Sequence, residues 1–116
     1  MNDIIYRPWG SYHVLATGEG YCIKLLTVQP GQSLSLQYHR HRQEEWTIIS
    51  GEGCIQVGTF WHRTYGGLRI SILPNVQHRI SVPTESHTPL ILCEVQLGVL
   101  LSEDDIVRLE DQYGRT

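Results

Sequence analysis

Short runs of alternating apolar and polar residues, separated by turn-forming residues, constrain the fold of this chain more than any other feature. The run YCIKLLTV at 21–28 is followed by Pro30-Gly31, a turn signal because proline fixes φ and glycine allows a positive one. Similar runs recur about every ten residues, as expected for successive strands. They lie at 33–41, 45–50, 54–58, 68–73, 78–82 and 90–98. This pattern predicts an all-β fold, either a sandwich or a small β-barrel.

The C-terminal residues follow a different pattern. Ser102 precedes three acidic residues at 103–105, as is typical of a helix start, where acids complement the helix dipole. Ile106 and Leu109 would then share one helical face, and Gly114 would end the helix. We therefore expect a short C-terminal helix.

Composition limits the classes of function. A chain of 116 residues is expected to form a single domain, 1–116, and a net charge of −3 gives no electrostatic case for binding nucleic acid or a membrane. No apolar run approaches the roughly 20 residues that span a bilayer, and the N-terminus lacks the pattern of a signal peptide. The three cysteines lie in apolar runs, which suits reduced thiols in a cytoplasmic protein.

The segment LQYHRHRQEEW at 36–46 holds the residues most suggestive of chemistry. His39 and His41 are two apart, so both imidazoles would leave the same face of a strand and could meet one ion. The alternative is that this polar face simply contacts solvent. A carboxylate close behind and His78 in a later strand favour a divalent metal site of three imidazoles and one carboxylate.

Several blocks of the sequence resemble a known family. RPWGSY, VQPGQSLSLQYHRHRQEEW, EVQLG and EDDIVRLEDQYGR, in this order, closely resemble type II mannose-6-phosphate isomerases. These are cupins, small jelly-roll barrels with a metal inside, and they occur alone or as the C-terminal domain of bifunctional mannose-1-phosphate guanylyltransferases. The resemblance implies a cupin barrel that interconverts mannose 6-phosphate and fructose 6-phosphate. It also implies a divalent metal, with zinc preferred over manganese, cobalt, nickel or iron.

The sequence departs from the pattern of that family at residue 45 and in the turn before His78, where the proline, Pro74, is also shifted by one position. Glu45 stands where the family usually has histidine, and Asn75 stands where it usually has glycine. Asparagine tolerates a left-handed turn better than other non-glycine residues, so the turn before His78 is expected to survive.

The two adjacent glutamates cannot both bind one ion from a regular strand, because neighbours point to opposite faces. Spacing from His41 selects Glu45, whereas spacing from Gly51 selects Glu44, which is also the glutamate of the family. We expect Glu44 to complete the metal site with His39, His41 and His78. Glu45 then faces away or takes the place of the family's histidine.

The implied isomerisation needs a residue that transfers the proton and cationic residues that bind the phosphate group. Glu45, Lys24 and Glu94 are the candidate acid–base residues. The phosphate candidates are Arg42 first, then Arg79 and Arg108, each of which could instead be an ordinary surface charge. Gln37, on the polar strand face, is expected to contact the substrate.

Two other classes of function fit the same residues. One is a non-catalytic cupin module that holds a metal or a sugar, and the other is oxygen chemistry at iron(II). The apolar outer side of 34–38 also suggests a homodimer, so the expected partners are a small-molecule sugar phosphate and a second copy of the chain.

Overall fold

Strands are the regular secondary structure that a computed structural model shows for residues 4–102 and 104–114, the part of the chain it describes. In chain order they are β1 Ile4–Arg7, β2 Gly10–Gly18, β3 Tyr21–Val28, β4 Leu36–Tyr38, β5 Gln43–Ser50, β6 Cys54–Val57, β7 Phe60–Arg63, β8 Arg69–Ile72, β9 His78–Ser81, β10 Leu90–Leu97 and β11 Val107–Glu110. The all-β prediction is confirmed.

The strands form two antiparallel sheets. One has the order β1-β2-β3-β10-β5-β8, and the other has the order β11-β4-β9-β6-β7. Because successive side chains point to opposite faces of a strand, β3, β5 and β10 give alternate residues to the interior. The apolar interior residues form a core cluster of Trp9, Leu26, Val28, Leu34, Trp46, Ile48, Ile55, Ile70, Ile72, Ile80, Val82, Leu90 and Leu92.

The interior changes from apolar to polar along the same strands. On β10, Leu92 is fully buried and Glu94, the next inward residue, is 5% exposed. The antiparallel register aligns this change across neighbouring strands: Leu92 lies between Leu26 and Ile48, and Glu94 lies between Lys24 and Trp46. The apolar end holds the sheets together, and the polar end lines a cavity.

The predicted C-terminal helix is wrong. Residues 107–110 instead form β11, which pairs with β4 at the edge of the second sheet. Asp105 does not begin a helix: its carboxylate accepts hydrogen bonds from the backbone N–H groups of Arg40 (3.0 Å) and His41 (2.9 Å). Both contacts are tertiary: β11 pairs with β4, and Asp105 binds the backbone of a bend far away in the sequence. Such contacts override the local helix signal.

The surface on which the homodimer prediction rests differs from the expected one. Leu34 is 8% exposed and belongs to the core, so it is absent from the outer face, where Leu36 and Tyr38 are half-buried. The homodimer stays a prediction.

Among the described residues there is no helix long and apolar enough to cross a membrane.

Candidate active site

A cavity of about 170 Å³ opens at the polar end of the interior, between the two sheets. Strands from both sheets contribute inward side chains to it. Its polar lining residues are Arg7, Tyr12, Lys24, Ser35, Gln37, His39, Arg42, Glu44, Trp46, His78, Glu94, Gln96 and Arg108.

A cluster of two imidazoles and one carboxylate lies in this cavity. His39, Glu44 and His78 are all buried, and each offers a ligand atom within 4.8 Å of the others. The Nδ1 of His78 lies 2.9 Å from the carbonyl oxygen of Val76, so Nδ1–H donates and Nε2 faces Glu44 Oε1 at 4.0 Å. Burial lowers the pKa of His78, mainly because it disfavours the charged ring, and keeps Nε2 able to bind a metal.

The turn before His78 holds the two histidine segments together. Asn75 has a φ of 70°, as predicted for a left-handed residue at this position. Its backbone N–H donates a 2.7 Å hydrogen bond to the carbonyl oxygen of His39. The rings of His39 and His78 lie 5.2 Å apart between centroids. The departure from glycine therefore preserves the geometry that brings these histidines together.

Glu44 is held by donors on both oxygens. Trp46 Nε1 donates to Oε1 at 3.0 Å, and Arg42 Nε donates to Oε2 at 2.8 Å. Arg42 Nη2 also lies 2.9 Å from Nε2 of His39, and its Nη1 donates to the carbonyl oxygen of Ser102 at 3.4 Å. A guanidinium only donates, so His39 accepts at Nε2 and its Nδ1 faces Glu44 Oε2, 3.4 Å away.

His41 does not join this cluster, contrary to the expectation from alternation. Regular strand β4 ends at Tyr38, and the chain bends at residues 40–41, where Asp105 binds both backbone N–H groups. The bend leaves His41 exposed and turns the side chain of Arg42 inward. Gly98 permits this close passage, because a Cβ there would lie 2.5 Å from the carbonyl oxygen of His41.

Glu45 faces away from the cavity, which removes it as a candidate proton carrier. Its two oxygens accept hydrogen bonds of 2.6 Å from Ser71 Oγ and from Gln43 Nε2 on the outer face. These bonds lower its pKa, that from Ser71 more than that from Gln43. Of the two adjacent glutamates, the structure brings only Glu44 to the cluster, since strand β5 is regular at this point.

Two of the other acid–base candidates line the cavity. Glu94 and Lys24 are directly opposite each other on β10 and β3, and both are buried. The pKa of Glu94 is raised to about 8, first by burial and then by the charge of Glu44 and a hydrogen bond with it. Gln96 Nε2 donates to Glu94 Oε1 at 3.1 Å.

The arginines predicted to bind phosphate fall into two groups, those that line the cavity and one that lies outside it. Arg42 and Arg108 line the cavity, as does Gln37. Arg79 does not, because it follows the inward residue His78 and so points to the other face, where it pairs with the carboxylate of Glu110 at 3.3 Å. The structure therefore places Arg79 outside the cavity, away from the other two arginines.

Sequence reasoning missed some of the lining residues. Arg7 and Tyr12 lie within the RPWGSY block, which was used only to recognise the family. Gln96 was missed although it is two residues from Glu94 on the same strand face. Ser35, two residues before Gln37 and also buried in the cavity, was given no role.

The residues present fit a divalent first-row metal. Two neutral imidazoles and a carboxylate are a common ligand set for zinc, iron and manganese, and they leave positions for substrate. An ion on His39 would take the place of a proton on the nitrogen that faces Glu44.

Solved structures of low sequence identity share the fold. A mutant of Bacillus subtilis oxalate decarboxylase matches 99% of this chain and 32% of its own, with a TM-score of 0.81 and 15% identity. A cupin-2 domain from Rhodospirillum rubrum matches 90% of this chain and 78% of its own, with a TM-score of 0.73 and 19% identity. The two sheets are thus those of a cupin.

Sequence relatives cover almost the whole chain. The xanthan biosynthesis protein XanB of Xanthomonas campestris pv. campestris (strain B100) is 44% identical over 112 residues, which are 97% of this chain and 24% of XanB. The mannose-1-phosphate guanylyltransferase ManC of Salmonella typhimurium is 39% identical over 115 residues, 99% of this chain and 24% of ManC. The chain spans about a quarter of the length of these curated relatives. Residues 1–111 match the family described as "Mannose-6-phosphate isomerase C-terminal", and the chain belongs to this family.

Proposed function

We propose that the chain is a metal-dependent aldose–ketose isomerase that interconverts mannose 6-phosphate and fructose 6-phosphate. The observation that carries the proposal is the buried His39–Glu44–His78 cluster in the same cavity as Glu94 and Lys24. A ligand set and a proton carrier in the same cavity are what such a reaction requires. Membership of the family supports the choice of substrate.

His39, Glu44 and His78 would hold the ion. Zinc is the preferred ion for this mixed nitrogen and oxygen set, and manganese, cobalt, nickel and iron are compatible with it. A bound divalent ion supplies Lewis-acid polarisation of the substrate carbonyl.

Glu94 is the proposed proton carrier. Its carboxylate would take the proton from C2 of the open-chain aldose and return it to C1, while a second proton passes from O2 to O1. The aldehyde at C1 thereby becomes an alcohol, and the alcohol at C2 becomes the ketone. Lys24, opposite Glu94 in the register, would hydrogen-bond the sugar oxygens during this exchange.

Incubation of the purified protein with mannose 6-phosphate and zinc, manganese or cobalt, followed by NMR, tests the proposal. Fructose 6-phosphate should form, and in deuterated water the transferred position should gain deuterium. Glu94→Gln should reduce the rate by about a hundredfold or more, as expected for loss of a general base. Glu45→Gln, the matched change on the outer face, should leave the rate unchanged. No conversion by folded protein with any of these metals would reject the isomerase.

A non-catalytic metal- or sugar-binding module is the second candidate. Two observations favour it: Glu45 replaces the usual histidine of the family, and Arg42 already binds both His39 and Glu44. Elemental analysis and calorimetry with mannose 6-phosphate distinguish the two, because a module would bind metal or sugar without turnover.

We also propose a cytoplasmic location, where the three free cysteines stay reduced.

A further inference from the structure

The end of the cavity away from the His39–Glu44–His78 cluster carries an arginine with an unsatisfied donor. Arg108 lies on β11, and its Nε is buried with no hydrogen-bond partner among the described residues. No described carboxylate lies within ion-pair distance of it. A buried donor without a partner costs free energy, so a ligand oxygen that accepts from it would be bound strongly.

Ser35 is a second unpartnered polar group in the same cavity. Its side chain is 1% exposed, and its Oγ has no hydrogen-bond partner in the part of the chain that the structure describes. A serine hydroxyl and an arginine donor that line one cavity are a combination suited to binding a phosphate oxygen.

Arg7 contributes a cation from the other sheet. Its guanidinium lies 5.3 Å from the ring centroid of Tyr12, and its Nη2 donates to the Tyr12 hydroxyl at 3.4 Å. The Nζ of Lys24 lies 4.5 Å from the same ring. Arg42 differs, because its guanidinium donates to residues of the metal cluster, His39 and Glu44, and to Ser102, whereas that of Arg7 donates to the Tyr6 carbonyl oxygen and the Tyr12 hydroxyl. The cavity thus has an arginine-lined end and a carboxylate-lined end.

The separation of these ends matches the length of a sugar phosphate. Arg108 is paired with Gln37, and Gln37 is paired with His78, so two strand spacings, about 10 Å, separate Arg108 from His78. In a hexose 6-phosphate, six bonds of about 1.5 Å at tetrahedral angles place the phosphorus roughly 7 Å from C2. The separation between the two strand positions is longer than the sugar phosphate. The side chains of Arg108 and His78 reach inward from those positions and make up the difference.

We propose that Arg108, Arg7 and Ser35 form the phosphate subsite of the cavity. The substrate then lies across β4, with its phosphate at β11 and its C1–C2 end beside His78 and Glu94. Gln37, in the middle of this row, contacts the sugar hydroxyls. The identity of the sugar rests on the proposed isomerase function, whereas the phosphate subsite is testable without catalysis.

Calorimetric titration of the intact chain, with and without zinc, tests the subsite. The wild-type protein should bind mannose 6-phosphate at least tenfold more tightly than mannose, as expected for charge-assisted hydrogen bonds to phosphate. Arg108→Met should remove most of this preference and leave the binding of mannose unchanged. Arg79→Met is the matched control, since Arg79 lies outside the cavity, and it should bind both sugars as the wild type does. Mannose 1-phosphate, with its phosphate at the other end, should bind more weakly than mannose 6-phosphate.

Two further variants guard against misfolding as an explanation. Arg7→Met changes an exposed side chain, so it should fold normally and still weaken binding of mannose 6-phosphate by several-fold. Arg108→Lys keeps the charge and should recover part of the affinity. Undiminished phosphate preference in folded Arg108→Met, or equal binding of the two phosphates by the wild type, would overturn the proposal. Loss of that preference in a protein that converts no sugar would support the subsite and reject the isomerase alone.

Discussion

At the scale of single residues, the contrast between Glu44 and Glu45 gives a sharp test of the metal site. Glu44→Gln removes a carboxylate from the buried cluster, and Glu45→Gln removes one from the outer face. We expect the first change to weaken zinc binding by about a hundredfold or more and the second to have no effect. Competition with a chromophoric chelator measures both affinities. Equal affinities for zinc would contradict the assignment.

The two histidines of the HRH segment provide a second test. His39→Ala should abolish tight zinc binding, because His39 lies in the cluster. His41→Ala should leave zinc binding within about twofold, because the side chain of His41 is exposed. Cobalt substitution with visible spectroscopy reports the ligand set of each variant. A loss of the cobalt spectrum in His41→Ala would place His41 among the ligands and reject the bend as the structure shows it.

The side chains of the site were predictable to different degrees. Residue type and spacing indicate His39 and His78, whereas Glu44, Glu94 and Lys24 follow from the resemblance to the family. The structure brings all five into one cavity. His41 was misplaced because strict alternation was extended past Tyr38, where the regular strand ends. No local pattern marks that bend, since the group that binds it, Asp105, is more than sixty residues away along the chain.

At the scale of elements, β11 and the residues before it stabilise the bend next to the site. Asp105→Ala removes two hydrogen bonds between a carboxylate and the backbone at residues 40–41. We expect a loss of about 1–3 kcal/mol in the free energy of unfolding and weaker zinc binding. Urea denaturation measures the first effect. Asp104→Ala, an exposed neighbour, is the control and should change stability by less than about 0.5 kcal/mol.

The same interaction predicts a dependence on pH. Burial opposes the charged form of Asp105, but the backbone hydrogen bonds from Arg40 and His41, together with the charges of the nearby histidines, outweigh it and lower the pKa below its ordinary 3.8. The stabilisation is therefore present above pH 3.8 and is lost as the pH falls through the lower pKa of the folded state. Asp105→Ala should lack this contribution to acid sensitivity. An identical fall in stability of both proteins below that pH would contradict the role of Asp105.

At the scale of the whole molecule, the apolar end of the interior carries the stability and the polar end carries the site. Leu92→Ala, at a fully buried position, should lower the free energy of unfolding by about 2–5 kcal/mol. Zinc affinity of the folded fraction should stay within about threefold of the wild type. Leu97→Ala, on the same strand but 39% exposed, should cost less than about 1 kcal/mol. A large loss of zinc affinity in Leu92→Ala would show that the two ends are not independent.

The general architecture was more predictable than its edges. The strands at 21–28, 45–50 and 90–98 have strong alternating or apolar patterns, because they lie inside the sheet and bury one face. β1, β7 and β11 lie at sheet edges, where more of each side chain is exposed and the pattern is weaker. These exposed edge strands, unlike the alternating edge strand β8, are therefore specified mainly by the partner they pair with, which a single sequence does not reveal.

The change from apolar to polar along β10 has a consequence for how the strands find their alignment. A slip of β10 by two residues would keep every side chain on its correct face, so alternation alone does not forbid it. That slip would set Glu94 opposite Leu26 and bury its carboxylate among aliphatic side chains, which is costly. The polar residues of the candidate site thus also specify one register over its nearest competitor. Replacing them all with apolar residues would remove a penalty against misaligned sheets as well as the candidate site.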